Sequence, residues 1–133
     1  MESRLSFTGI DHVVLPVKEV ETSCRFYERI GAVVETFDGN RKAVYFGKQK
    51  INLHPSPPGD IYPLAENPQQ GSGDFCVLVR DPISSVQSIC EAAEIPVIEG
   101  PVTRTGAAGQ IESVYVRDPD GNLVEIGTYE TNH

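Results

Sequence analysis

Ile10-Asp11-His12-Val13-Val14-Leu15-Pro16-Val17 opens a pattern that restarts in the second half of the chain as Asp74-Phe75-Cys76-Val77-Leu78-Val79. Both stretches alternate and read as strands: Val13, Leu15 and Val17 share one face, and His12, Val14 and Pro16 the other. The internal proline marks an edge or a ladder irregularity. A helix follows over roughly 19–30, with Val20, Cys24 and Tyr27 on one stripe and Gly31 as its stop. Three β runs come next: Ala32–Phe37, Lys42–Phe46 and Lys50–His54. Asp38-Gly39-Asn40 reads as the first hairpin turn and Gly47-Lys48-Gln49 as the second.

The second half repeats this order. Asp81 is read as an N-cap with Pro82 at the first helical position. Val86, Ile89, Cys90 and Ala93 form the helix stripe, and Pro96 closes it. Val97-Ile98, Ser113–Arg117 and Leu123–Gly127 are the remaining β runs, with Asp118-Pro119-Asp120-Gly121-Asn122 as a strong turn. Residues 105–110 read as a mobile loop on their glycines and alanines. Val17-Lys18-Glu19 lies over Val79-Arg80-Asp81 at an offset of 62, which also sets His12 over Asp74. The chain is therefore βαβββ, loop, βαβββ, and repetition decides the fold. Repeat one covers about 8–54 and repeat two about 74–128 of a single domain spanning 1–133. The fold class is α+β, with the tandem repeats forming a curled mixed sheet around a cleft. Five of the ten prolines fall in the connecting segment 55–73, which reads as a covering loop.

Composition narrows the function. At 133 residues the chain holds one core, and its 39% apolar and 23% charged content is that of a folded protein. Net charge is −8, which argues against nucleic acid and anionic membranes as partners and leaves a small molecule. No apolar run approaches the ~20 residues of a membrane helix. The N-terminus lacks a signal-peptide pattern, so a cytoplasmic location is expected. Three cysteines without CxxC spacing argue against a disulfide framework or a cysteine zinc site and read as reduced, mostly buried thiols. A nucleophilic Cys76 is the alternative.

Strand parity places four chemically useful side chains on the face the helices do not need. These are His12 in the first strand, His54 (with Asn52) in the fourth, Asp74 in the fifth and Glu125 in the last. Two histidines plus carboxylates are the ligand set of a divalent metal, with positions left for substrate oxygens. Zinc, nickel, manganese and iron all suit such donors, so the ion is not distinguished. Each residue has a plainer reading. A strand histidine is more often structural, Asp74 reads nearly as well as a turn or cap residue after Gly71-Ser72-Gly73, and Glu125 is otherwise solvent-facing. His133 ends the chain and reads as frayed. Arg41-Lys42 and Lys48/Lys50 read as a solvated face, whereas Arg104 and Arg117 are candidates to hold an anionic substrate.

At these residues the chain resembles the vicinal oxygen chelate superfamily of glyoxalase I, bleomycin-resistance proteins and extradiol dioxygenases. The carriers are Ile10 to Leu15, Arg25-Phe26-Tyr27-Glu28-Arg29-Ile30-Gly31, and Arg117 to Ile126. Phe46 to His54 and Gly100 to Gly106 are similar to the glyoxalase domain-containing protein 5 type. The resemblance implies the glyoxalase/bleomycin resistance fold and a metal held by His12 and Glu125 with one or both of two other positions. Those two depart: Asn52 stands where glyoxalase I has glutamate, with His54 two residues on, and Asp74 stands where histidine is usual. The glyoxalase reaction relies on that glutamate for proton transfer. The expectation is a metal-dependent lyase or isomerase with His12, His54 and Glu125 as ligands, and Glu125 and Asp74 as the catalytic carboxylates. Asp74 is then either a further ligand or the base. Its rivals are a metal-free binding protein lined by Tyr45, Tyr62 and Tyr115, and a ring-cleaving dioxygenase. By analogy with the family, a homodimer completes the cleft.

Overall fold

A computed structural model describes residues 4–130; the expectation for His133 lies outside them. The element order is β1 (His12–Val17), α1 (Val20–Arg29), β2 (Val33–Phe37), β3 (Arg41–Phe46), β4 (Gln49–Pro55), β5 (Asp74–Leu78), α2 (Ile83–Ala92), β6 (Glu99–Gly106), β7 (Gly109–Arg117) and β8 (Leu123–Thr128). The eight strands divide into two four-stranded sheets of the same topology, β1-β4-β3-β2 and β5-β8-β7-β6. In each, the first strand runs parallel to the last and the other pairs are antiparallel. That is the predicted repeat, and it makes β1 and β5 edge strands.

Register fixes the faces. His12 pairs with Lys50, Val14 with Asn52, and Pro16 with His54, so these six share one face. Leu15, Val17, Ile51 and Leu53 share the other and are buried. In the second sheet Cys76 pairs with Glu125 and Tyr115 with Glu125, so all three face the open side. Val114, Val116, Val124 and Ile126 point inward. The inward faces of both sheets and both helices form one continuous core. Fully burying each of these aliphatic side chains contributes about 1.5–3 kcal/mol. Helix α1 turns Ser23, Cys24, Phe26 and Tyr27 inward, and Tyr27 meets Phe26 and Phe46 edge-on.

The turn Asp118–Asn122 joins the two halves. Asp118 Oδ1 accepts from the backbone N–H groups of Asp120 and Asn122, and Oδ2 from Asn122 Nδ2 and the Tyr27 hydroxyl at 2.7 Å. Asp120 Oδ1 accepts from the Lys18 backbone N–H at 2.8 Å, and Asn122 Oδ1 from that of Gly73 at 2.7 Å. Gly73 is required there: a Cβ would stand 2.7 Å from Leu15 Cδ2 and 2.8 Å from Asn122 Oδ1.

Several local expectations are corrected. Residues 105–110 form a tight β6–β7 hairpin, in which Thr105 pairs with Gln110 and Gly106 with Gly109. The small residues there serve a two-residue connection rather than a loose loop. Strand β6 begins at Glu99, directly after the expected run Val97-Ile98, from which Ile98 N–H reaches Tyr115 O. Pro82 takes the N-cap position of α2 with no side-chain cap, so Asp81 does not cap it. Ile89 lies at the edge of the helix stripe and is 44% exposed.

Candidate functional site

Each sequence-predicted residue stands on the open face that strand parity assigned it. His12 is held by its neighbour: Nδ1 donates to Asp11 Oδ1 at 2.7 Å. That bond leaves Nε2 as a free lone pair, the orientation in which an imidazole backed by a carboxylate serves as a metal ligand. Glu125 is held on the other sheet, where Ser113 Oγ donates to Oε2 at 2.7 Å and leaves Oε1 free. Ser113 was not singled out from sequence. It sits diagonally across from Glu125, opposite Gly127, a relation fixed by β7–β8 register alone.

His54 is differently placed. It is 6% exposed, and its Nε2 faces Arg41 Nη2 at 3.1 Å. A guanidinium only donates, so Nε2 carries the lone pair in that bond and the proton resides on Nδ1. Burial, and after it the Arg41 charge, hold the imidazole pKa below its ordinary value. A cationic neighbour disfavours a second cation, and His54 as oriented does not fit a metal-ligand role. Arg41 was read as part of a solvated face. Instead its guanidinium lies 4.9 Å from the Phe37 ring centre, and Lys50 Nζ lies 4.2 Å from it on the same open face. Asn52 is buried beside them with Oδ1 unpartnered among the described residues.

The four candidate residues do not gather in one chain. His12 lines a hollow of about 290 Å³ with Val13, Phe46, Lys50, Phe75, Cys76 and Leu78. Glu125 lines a second, of about 390 Å³, with Arg104, Tyr129 and the same Cys76 and Leu78. Asp74 is exposed at the start of β5. Among the described residues no group of three or more His, Cys, Asp or Glu side chains is placed to hold an ion. The reason is architectural. His12 is on the edge strand of one sheet, Glu125 on an inner strand of the other, and β5 lies between the two hollows.

Cys76, on that dividing strand, is exposed, whereas Cys24 and Cys90 are core residues. Partial burial, and then the Glu125 carboxylate, push the Cys76 thiol pKa up to about 11. Such a thiol is a poor nucleophile at neutral pH, contrary to the nucleophilic alternative. Tyr62 is 89% exposed and does not line either hollow. Tyr115 holds Arg104, whose Nε donates to its hydroxyl at 3.0 Å.

Two sheets of repeated βαβββ topology, with histidine and carboxylate on their open faces, define a class of small α+β domains. The chain belongs to the Glyoxalase/Bleomycin resistance protein/Dioxygenase superfamily, whose model matches residues 9–126. It is 50% identical over 121 residues to Virulence protein STM3117 of Salmonella typhimurium, covering 90% of this chain and 83% of that one. The crystal structure of that protein superposes with a TM-score of 0.90 over 94% of this chain and 99% of the other, at 48% identity. Glyoxalase domain-containing protein RDO1 of Mycosarcoma maydis is 43% identical over 129 residues, covering 97% of this chain and 73% of that one. A lactoylglutathione lyase from Agrobacterium tumefaciens has a TM-score of 0.71 at 26% identity, over 93% of this chain and 96% of that one. No described helix is long and apolar enough to cross a membrane.

Proposed function

We propose that the protein is a glyoxalase-type lyase or isomerase acting on a small oxygen-rich substrate with a divalent metal, in a cleft completed by a second copy of the chain. The observation that carries this is the matched preparation of His12 and Glu125. Each is pinned by one hydrogen bond and keeps one donor atom free on an open sheet face. The name of the structurally similar lactoylglutathione lyase supports the reaction class. The identity to RDO1 supports a place near the glyoxalase domain-containing protein 5 type. Its place of action is taken to be the cytoplasm.

The donor set is His12 and Glu125 with Asp74, whose carboxylate shares the open face of Glu125. Bound there, a divalent ion supplies polarisation of two substrate oxygens. Glu125 is then chiefly a ligand, and Asp74, if it is not one, is the carboxylate that moves a proton. Exposed Val13 and Leu78, at 42% and 56%, border the hollows and suit cover by a second copy. Asn52, an amide without proton-transfer capacity, occupies the fourth-strand position, so turnover of glutathione hemithioacetals is expected to be weak.

A second reading, metal-free binding of a small molecule, is favoured by the apolar walls that Phe46, Phe75 and Leu78 give the hollow beside His12. Metal content of tag-free protein separates the two. Stoichiometric metal lost in His12→Ala and Glu125→Gln supports the enzyme. A metal-free protein whose ligand affinity is unchanged in His12→Ala supports the binder. Sedimentation tests the dimer.

A further inference from the structure

The hollow beside His12 and a third cavity, of about 270 Å³, lie along one seam between the two sheets. Of β1, the hollow takes His12 and Val13, and the cavity takes Val14, Leu15 and Pro16. Of the second repeat, the hollow takes Phe75 to Leu78, and the cavity takes Ser72 and Gly73, which lead into β5. Rising along β1 is thus descending along β5, and Asp74 stands where hollow passes into cavity. Gly73 closes on Leu15 at the cavity end, where a Cβ would stand 2.7 Å from Leu15 Cδ2. On the open face of β1, His12, Val14 and Pro16 follow one another at intervals of about 7 Å.

Charge is spread unevenly along this seam. The hollow is lined by Asp11, His12 and Lys50. Among the described residues no lysine, arginine, aspartate or glutamate lines the cavity. Its one ionisable group, the His54 imidazole, is held toward the neutral form by burial and then by Arg41. Its wall is chiefly carbon, with Val14 and Pro16 on the sheet side and Pro63, Leu64 and Ala65 in the covering segment. A charged group entering there would lose its hydration and meet no counter-charge, whereas apolar carbon gains by leaving water. An apolar cavity of about 150 Å³ already admits benzene, so this one has room for a short alkyl chain or a single ring.

We propose that the molecule bound at His12 has two parts: an oxygen-bearing head at the His12 end of the seam, and an uncharged, apolar substituent that passes Asp74 into the cavity beneath residues 55–73. The head rests on the metal-dependent reading above, and the substituent rests on the cavity alone. The segment 55–73 is thus the roof of a subsite as well as the connection between repeats.

The test uses the full-length protein loaded with zinc and two probes that share a chelating head, acetohydroxamate and hexanohydroxamate. Hexanamide supplies the longer chain without the chelating pair. Calorimetry reports affinity, and backbone amide NMR shifts report location. Hexanohydroxamate is expected to bind about fifteenfold more tightly than acetohydroxamate, the value of four methylenes at half their full transfer energy. The additional shifts should be confined to residues 14–15, 64–69 and 72–73. In Leu64→Asp the longer chain's advantage should vanish while acetohydroxamate binds as before. Hexanamide should shift the same cavity residues in protein without zinc. Equal affinities for the two hydroxamates, or additional shifts centred on Arg104 and Tyr129, overturn the proposal and leave the metal reading standing. Failure to take up zinc, with hexanamide still shifting the cavity residues, removes the metal reading and keeps the apolar subsite. Absence of shifts at those residues with every probe overturns the proposal. If Leu64→Asp fails to fold, the probe pair and the location of the shifts in the natural protein still decide.

Discussion

Replacing Tyr27 with phenylalanine removes one hydroxyl from the joint between the repeats and nothing else. That hydroxyl donates to Asp118 Oδ2 at 2.7 Å, and both residues are buried, at 0% and 5% exposure. Hydrogen bonds to charged groups contribute about 1.5–3 kcal/mol. Asp118 Oδ2 keeps a second donor, Asn122 Nδ2 at 2.8 Å, so the carboxylate is not stranded. The expected loss is therefore about 2 kcal/mol, or roughly 7 °C in Tm for a chain of this length. Guanidinium unfolding at pH 7, followed by far-UV circular dichroism, measures it; the midpoint should fall with the slope unchanged. Alkali supplies an independent readout. Burial, and then Asp118, raise the Tyr27 pKa above its unfolded value of about 10, so the folded state favours the neutral phenol. That stability is present below pH 10 and is lost as pH climbs past it, because the unfolded chain ionises first. Natural protein should weaken more steeply than Tyr27→Phe above pH 10. A loss under about 0.5 kcal/mol, or identical alkaline slopes, would refute the account of the joint.

Other perturbations probe separate parts. Gly73→Ala sets a Cβ 2.7 Å from Leu15 Cδ2 and 2.8 Å from Asn122 Oδ1, and overpacking of this kind should cost about 1–3 kcal/mol in a thermal melt. Cys76 is the exposed thiol, yet its raised pKa of about 11 should slow its alkylation by iodoacetamide at pH 8 about tenfold relative to a free cysteine. Mass spectrometry locates the label, and Glu125→Gln should speed the reaction. Ser113→Ala frees the Glu125 carboxylate, and metal affinity should fall about 10–100-fold with the fold intact.

The strands and their faces were legible because alternation in β1, β4, β5 and β8 is written in single residues: His12 between Ile10 and Val14 on one side and Val13 on the other. The repeat was legible from the order of elements, even though few residues match. What escaped reading depends on register or on contacts far apart in sequence. Ser113 meets Glu125 only because β7 pairs with β8 in one register. Arg41 meets His54 across the β3–β4 pair, which turned an apparent solvated charge into the neighbour that argues against His54 as a ligand. The segment Asp118–Asn122 was legible as a turn, since Pro, Gly and Asn announce one. Its hold on Tyr27, Lys18 and Gly73 carries no local signal at all. Convergence of His12 with Glu125 was inferred from faces alone, and faces do not fix the distance between two sheets.

That five-residue turn has no counterpart in the first repeat, where Gly47-Lys48 connects the equivalent strands in the shortest way available. The duplication is thus unequal: one half carries the grip and the other is gripped. Changes at Asp118, Asp120 or Asn122 consequently act on the joint between the halves, through Tyr27, Lys18 and Gly73, and touch neither His12 nor Glu125. Under the proposed function, ligand preference is then open to adjustment from the back of the molecule, well away from His12 and Glu125.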